Sequence, residues 1–273
     1  MNNDIPSGRS RRDFLHATGA VGLALAAMPA LIADAESQPS SKSEGAARKT
    51  SARFDHADTA VVFIDPQNDV LSEKGTAWPL VGQSVTENKT VENMERIFRA
   101  AKQNGFDVFI SPHYFYPTDS QWKFNGPLEQ SEFSEKTFAR RGPLTLDGFR
   151  GSGADWLERF KPYIEDGRTI IVSPHKVWGP QTNDLGLQLR KRRISRVILG
   201  GMLANICVES HLRDLLEHGF EVVVVSDATA APRHPEWGYG YTAALINFRF
   251  LAHAVLPTDE VVRAMNPAAT AAQ

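Results

Sequence analysis

Cysteine is almost absent from this 273-residue chain, which has a single one, Cys207. One thiol can close no intramolecular disulfide, so a disulfide-stapled fold is excluded. An excess of charge of either sign is missing as well. Thirty Lys and Arg stand against 32 Asp and Glu, a net charge of −2. A near-neutral chain offers no electrostatic footprint for nucleic acid or an anionic membrane. No P-loop, no H-E-x-x-H helix and no G-x-S-x-G elbow occurs; Gly151-Ser152-Gly153 lacks the spacing of the last. No segment repeats at solenoid or propeller periods. None of these absent motifs leaves a cofactor to be accommodated, and no cofactor is expected.

The N-terminus is set aside before the fold is read. Arg11-Arg12 is followed by Phe14-Leu15, a run rich in Ala, Gly and Leu, and Ala33-Asp34-Ala35. This order resembles a twin-arginine signal peptide, S-R-R-x-F-L, closing in an A-x-A-like cleavage site. The run is weakly apolar for a permanent span. Residues 1–35 are therefore expected to engage the twin-arginine export machinery and to be cleaved near Ala35, placing the product in the periplasm or outside the cell. Their loss removes Arg9, Arg11 and Arg12 with Asp4, Asp13 and Asp34, so the net charge stays at −2. Residues 36–56 are polar and aperiodic and read as a flexible linker. Residues 57–273 remain, enough for one domain with a sizeable core.

Within that domain, apolar runs of strand length alternate with helical patterns. "TAVVFID" (59–65), "FDVFISPH" (106–113), "TIIVSPHK" (169–176), "RVILGG" (196–201) and "FEVVVVSD" (220–227) are β-branched and lack polar alternation. Such runs suit strands buried on both faces, as in a parallel sheet. Amphipathic stretches lie between them. Residues 90–105 put Val91, Met94, Ile97, Phe98 and Ala101 on one face and stop at Gly105. Residues 182–193 offer Leu185 and Leu189 after a Thr182 or Asn183 cap, residues 207–219 offer Val208, Leu212, Leu215 and Leu216, and residues 241–255 read as a last helix. Strand alternating with helix predicts a three-layer α/β/α, doubly wound, mostly parallel sheet. Residues 114–155 break the rhythm with aromatics and turn residues. So long a connection reads as a lid or pocket wall, or as a subunit contact.

In such sheets ligands collect beyond the carboxyl ends of the strands, where Asp65, His113, Lys176 and Cys207 fall. Each has an ordinary role open to it. Cys207 suits a small buried apolar residue, Asp65 a turn cap before Pro66, Lys176 a solvated loop, and His113 and His175 packing or hydrogen bonding. Position adds a chemical reading. Cys207 opens an amphipathic helix, where unpaired N–H groups and the helix dipole favour a thiolate. A thiol of pKa about 8.5 is only about 3% ionised at pH 7. An ammonium about 4 Å away contributes up to roughly 4 kcal/mol at an effective dielectric of 20. A nearby carboxylate can take the thiol proton and return it to a leaving group.

The motifs, in order, resemble the isochorismatase-like cysteine hydrolase superfamily. "VVFIDPQNDV" is similar to its opening strand, Lys176 with Thr182, Leu185 and Leu189 to its K…T-x-L segment, and "GMLANICVESHLRD" to its nucleophile turn, over about residues 58–257. The resemblance implies a hydrolase with Asp65 as base, Lys176 as the thiolate-stabilising amine and Cys207 as nucleophile. It also implies a cis peptide at Met202–Leu203 and an oxyanion hole from the backbone N–H groups of Leu203 and Cys207. Gln67, His113, Phe115, Trp122 and Trp178 are the expected substrate contacts. The metal set of nicotinamidases, D-x-H…H after the second strand, is not matched: His113 stands there alone until His175. No metal is therefore expected. Isochorismatases proper lack the cysteine, and "NICVES" is similar to amidohydrolases of ureido and carbamoyl groups. The usual Ser-Ala-Phe-like run is replaced by Val177-Trp178-Gly179. The expectation is an exported, homo-oligomeric cysteine hydrolase cleaving a C–N bond of a small amide, ureide or carbamoyl compound through an acyl-thioester. Hydrolysis of a non-amide bond on the same scaffold and a non-catalytic ligand-binding protein are the alternatives.

Overall fold

The structure, a computed structural model, describes residues 54–266. The expected signal peptide lies outside the described residues, as does the linker up to residue 53. Phe54 is buried, and its N–H donates to Ala264 O at 3.2 Å. Positions 54–56, read as linker, are therefore part of the folded domain.

Five β-branched runs form the strands β1 (Thr59–Ile64), β2 (Asp107–Ser111), β3 (Ile170–Ile171), β4 (Arg196–Met202) and β5 (Glu221–Ala230). Two short strands, β6 (Arg233–His234) and β7 (Gly238–Tyr239), make a separate hairpin, and β8 (Ala254–Leu256) completes the main sheet. That sheet has six strands in the order β3-β2-β1-β4-β5-β8, every neighbour parallel. The helices are α1 (Asn68–Leu71), α2 (Trp78–Glu87), α3 (Thr90–Gln103), α4 (Pro127–Glu135), α5 (Lys161–Ile164), α6 (Leu185–Lys191), α7 (Glu209–Glu217), α8 (Gly240–Leu251) and α9 (Thr258–Met265).

Alternation along the strands divides the core in two. Val61, Phe63, Val108, Ile110, Ile198, Val223 and Val225 pack with α3 and α9 through Met94, Ile97, Phe98, Val261 and Met265. Ala60, Val62, Ile64, Phe109, Val197, Leu199, Val222 and Val224 pack on the other side with Leu185 and Leu189 of α6, Leu212 and Leu215 of α7, and Phe248 of α8. Successive side chains of a strand point to opposite faces, so one apolar run serves two layers. This is the expected three-layer α/β/α sheet. Two elements differ from expectation. The run read as strand 169–176 pairs as β3 over only two residues, and the last helix stops at Leu251, its tail becoming the edge strand β8.

Residues 114–155 carry α4 and a short 3-10 turn at Asp119–Gln121, and they are stitched to the sheet's carboxyl edge. Phe115 N–H donates to Phe138 O at 3.1 Å, and Phe138 N–H to the Asp69 carboxylate at 2.6 Å. Asp69 also accepts the Thr76 hydroxyl. Gly153 sits against this carboxylate so closely that a Cβ there would lie 1.9 Å from Asp69 Oδ1. The connection is thereby a wall fixed beside the strand ends.

Candidate functional site

Four strand ends deliver four side chains to one place. Asp65 follows β1, where the chain turns into the left-handed region (φ 49°), a conformation aspartate tolerates. Its N–H donates to Ser111 O at 3.1 Å, tying β1 to β2 just below the site. His113 and His175 extend beyond β2 and β3 and face each other across a parallel bridge. Cys207 lies after β4 in a π-helical turn, Ala204–Val208, which runs directly into α7. The turn can approach β1 because Gly201 has no side chain: a Cβ there, at φ 111°, would lie 2.1 Å from Ile64 O. The expected cis peptide is at Met202–Leu203. One ligating atom from each of Asp65, His113, His175 and Cys207 lies within 4.8 Å of the others, and all four residues are buried.

Hydrogen bonds fix their orientation. His175 Nε2 is 2.8 Å from Asp65 Oδ1, and its Nδ1 is 3.2 Å from Val177 O. Both ring nitrogens thus face acceptors, and one proton must be shared between imidazole and carboxylate. An Asp65 carboxylate oxygen also lies within 4.8 Å of the Cys207 sulfur. Burial raises the Asp65 carboxyl above its ordinary range, against the opposing pull of His175. Burial, with the nearby Asp65 and Glu132 carboxyl groups, raises the Cys207 thiol, while the Leu203 backbone N–H acts the other way. The pair is matched: a thiol that resists ionisation sits beside a carboxylate made more basic by the same burial. Behind them, His211 Nδ1–H donates to Cys207 O at 2.7 Å, and its Nε2 accepts the Ser111 hydroxyl at 2.9 Å. Ser111 in turn accepts Asn183 Nδ2–H at 2.8 Å. This chain of hydrogen bonds holds the Cys207 turn against β2. Burial keeps both His113 and His211 well below the ordinary imidazole pKa, hence neutral.

Of the expected site residues, Asp65 and Cys207 meet; Lys176 does not join them. Its ammonium lies 2.5 Å from Asp119 Oδ2 and 3.6 Å from the centre of the Tyr116 ring. Adjacent residues in extended chain point to opposite sides, so a strand end that turns His175 toward the thiol turns Lys176 toward the wall segment. The position beside the Asp–Cys pair belongs to His175. Lys176 contributes its carbonyl, which accepts His113 Nε2–H at 3.0 Å. Gln67 is corrected too. Its amide donates to His113 O and Ala154 O at 3.0 and 2.9 Å and accepts His113 N–H at 2.9 Å, so a fully buried side chain spent on the backbone has little left for a ligand. Phe115 is buried in an aromatic group with Phe133, ring centres 4.6 Å apart, and with Trp122 at 6.1 Å. His113 lies between Phe115, Phe138 and the edge of Trp178.

Two participants were not assigned from sequence. His175 is expected from sequence only to pack or to hydrogen-bond, and its bond to Asp65 gives it a place in the site; Phe109, Ser111 and His113 alternate onto the α7 face of β2 and the bridge to His175 extends that face. Glu132, on α4, is buried, and its Oε2 lacks a hydrogen-bond partner among the described residues. Burial first, then the Asp65 charge, pushes its carboxyl up to about 8. It lines a cavity of about 250 Å³ with Phe115, Tyr116, Phe133 and Arg140. A neutral acid beside the site can donate as well as accept a hydrogen bond.

Comparison with known proteins agrees with this geometry. Residues 59–255 match the isochorismatase domain. The chain is 27% identical over 232 residues to the ureidoacrylate amidohydrolase RutB of Cronobacter turicensis, covering 82% of this chain and 96% of that one. It is 28% identical over 180 residues to an uncharacterized isochorismatase family protein, YwoC of Bacillus subtilis, covering 64% and 79%. Solved structures share the fold. A cysteine hydrolase from Pseudomonas syringae pv. phaseolicola superposes with a TM-score of 0.63 at 21% identity, over 78% of this chain and 94% of that one. The N-carbamoylsarcosine amidase of Thermoplasma acidophilum gives 0.53 at 21% identity, over 74% and 97%. With residues 59–255, most of its described length, matched to the isochorismatase domain, the chain belongs to the isochorismatase family of hydrolases.

Proposed function

We propose that the protein hydrolyses a C–N bond of a small amide, ureido or carbamoyl compound, with Cys207 as nucleophile and Asp65 as the proton carrier. One observation carries the reading: a buried carboxylate oxygen and a buried thiol sulfur, at the ends of β1 and β4, lie within 4.8 Å of each other. A thiol and a carboxylate brought this close can pass a proton without bulk solvent, which makes a thiolate only when a carbonyl is there to be attacked. The name of the related amidohydrolase, which acts on ureidoacrylate, supports the substrate class.

In this mechanism the Cys207 proton passes to Asp65 as sulfur bonds to the substrate carbonyl carbon. Backbone N–H groups of Leu203 and Cys207 receive the oxyanion. The tetrahedral species collapses, the C–N bond breaks, and Asp65 returns the proton to the departing nitrogen. Water then attacks the thioester, gives its proton to Asp65, and the thiol is restored as the acid leaves. His175 holds the carboxylate through Nε2 and stabilises the charge that Asp65 alternately carries and loses.

The test is ammonia release by purified protein across small ureido acids, carbamoyl compounds and primary amides, with mass spectrometry of quenched reactions. Cys207→Ala should lower kcat by about 10⁴-fold or more while the circular dichroism spectrum is retained. Cleavage at the wild-type rate by that variant would end the nucleophile assignment, and turnover without ammonia or amine would end the C–N assignment. Twin-arginine export and homo-oligomeric assembly complete the proposal; cell fractionation and light scattering test them.

A further inference from the structure

We propose that Asp65, His113, His175 and Cys207 form a binding site for one thiophilic divalent cation, zinc above all, and that this cation and the hydrolytic use of Cys207 exclude each other. Two nitrogens, one oxygen and one sulfur are the donor mixture that zinc takes. The four donor atoms lie within 4.8 Å of one another. Tetrahedral zinc, with bonds of about 2.0–2.3 Å, separates its ligands by roughly 3.3–3.8 Å, so a contraction of about 1 Å closes the cage.

The histidines supply the independent argument. Lys176 O accepts His113 Nε2–H, which leaves the proton-free nitrogen as Nδ1. That Nδ1 is fully buried and has no hydrogen-bond partner among the described residues. Leaving such a group unpaired costs about 1–3 kcal/mol, and a cation among the four donors would pair it. For His175, the Val177 carbonyl faces Nδ1, which aims Nε2 at Asp65. Two lone-pair carriers pointed at each other need a proton or a metal ion between them. Successive backbone carbonyls, of Lys176 and Val177, therefore hold both rings with their remaining nitrogens presented, as outer partners do for metal-ligating histidines. The set draws on the ends of four strands, β1 to β4, so no local sequence motif displays it.

On binding, zinc takes Cys207 as thiolate and replaces the proton held between His175 and Asp65, and both protons pass to solvent. All four positions of the tetrahedron are then protein atoms, with no place for an activated water. The zinc form is thus a closed, resting form and not a metallohydrolase. The mutual exclusion with turnover rests on the proposed function; the binding itself does not.

The experiment uses the full chain stripped with a chelator, then titrated with Zn²⁺ or Co²⁺. Expected are one zinc per chain by elemental analysis, protection of Cys207 from iodoacetamide, and a cobalt spectrum with a thiolate charge-transfer band. Cys207→Ser should lose that band, and His113→Gln or His175→Gln should weaken zinc binding by about 100-fold or more. Circular dichroism selects the variants that remain folded, and Cys207→Ser, a near-isosteric change, secures the test if the histidine variants do not. Substoichiometric zinc, a cobalt spectrum indifferent to Cys207→Ser, or a thiol alkylated equally fast with and without zinc would overturn the site. Where ammonia release has been found, one equivalent of zinc should abolish it and chelation restore it; undiminished turnover at saturating zinc overturns the exclusion. If zinc binds with all these marks and no amide is cleaved, the metal site stands and the hydrolase reading falls.

Discussion

His175 and Lys176 are neighbours in sequence with different work. The imidazole reaches Asp65, and the ammonium reaches away to Asp119 and Tyr116. Asp119 also accepts Tyr116 N–H at 2.8 Å, so Lys176 fastens the start of the wall segment to the end of β3. This division predicts opposite phenotypes. His175→Gln replaces a proton-sharing ring with an amide that cannot carry positive charge, and kcat should fall by about 10²-fold or more with the unfolding midpoint nearly kept. Lys176→Met leaves Asp119 half-paired and should cost about 1–2 kcal/mol in urea unfolding, with kcat changed less than tenfold. If Lys176→Met removed activity without touching stability, the lysine would be the catalytic cation after all. The residue types at this strand end were plain in the sequence; their directions were not. A one-residue difference in where an extended segment begins exchanges which neighbour faces the site, and with β3 paired over two residues no long apolar run fixes that register.

Among the elements, those with a long periodic signal were legible and those built by tertiary contact were not. Strands β1, β2, β4 and β5 announce themselves by β-branched runs, and α3 and α7 by an apolar stripe that ends in glycine. The edge strand β8 is three residues in the tail of a helical pattern, too short to contradict it. Helix α4, "PLEQSEFSE", is polar on nearly every side and carries no core-facing period. Glu132 is buried at a cavity that Phe115, Tyr116 and Phe133 also line, which only the folded connection brings together. Glu132 also gives a pH prediction with a definite sign. Its ordinary value is 4.5 and its value in the fold about 8. Below pH 4.5 both states are protonated and the group contributes its full stability. Above it the unfolded chain ionises first, and stability is lost as pH rises toward 8, by up to about 1.4 kcal/mol per pH unit. Glu132→Gln cannot ionise, so its stability relative to wild type should grow by a few kcal/mol between pH 5 and pH 8 and then level off. Urea unfolding at pH 5, 6.5 and 8 measures it; a constant difference across that range would mean Glu132 is ionised in the native protein.

At the scale of the whole molecule, one parallel sheet supports two cores and one site. Phe98 anchors the first core, with ring centres 4.4 Å from Phe63, 5.2 Å from Phe160 and 5.5 Å from Tyr163. Phe248 anchors the second, with α6, α7 and α8 around it. Neither layer can unfold alone, because alternate residues of the same strands belong to each. Stripping α7 and α8 would expose Val62, Ile64, Leu199 and Val224 to water at roughly 1.5–3 kcal/mol apiece. The site sits where this coupling is tightest, at the ends of β1 and β4, the two central strands, so its geometry is held by both cores at once. Phe98→Ala and Phe248→Ala, on opposite faces, should therefore behave alike. Each should cost about 3–5 kcal/mol, and in each the transitions followed by tryptophan fluorescence and by far-ultraviolet circular dichroism should coincide. The tryptophans discriminate: Trp78 and Trp156 pack against the first core and Trp178 against the second, so a layer melting first would separate the two signals. A fluorescence transition preceding the dichroism transition in Phe248→Ala alone would show that the α6–α8 layer leaves the sheet independently. It would then follow that the Cys207 turn, which leads into that layer, is held less firmly than the Asp65 end of β1.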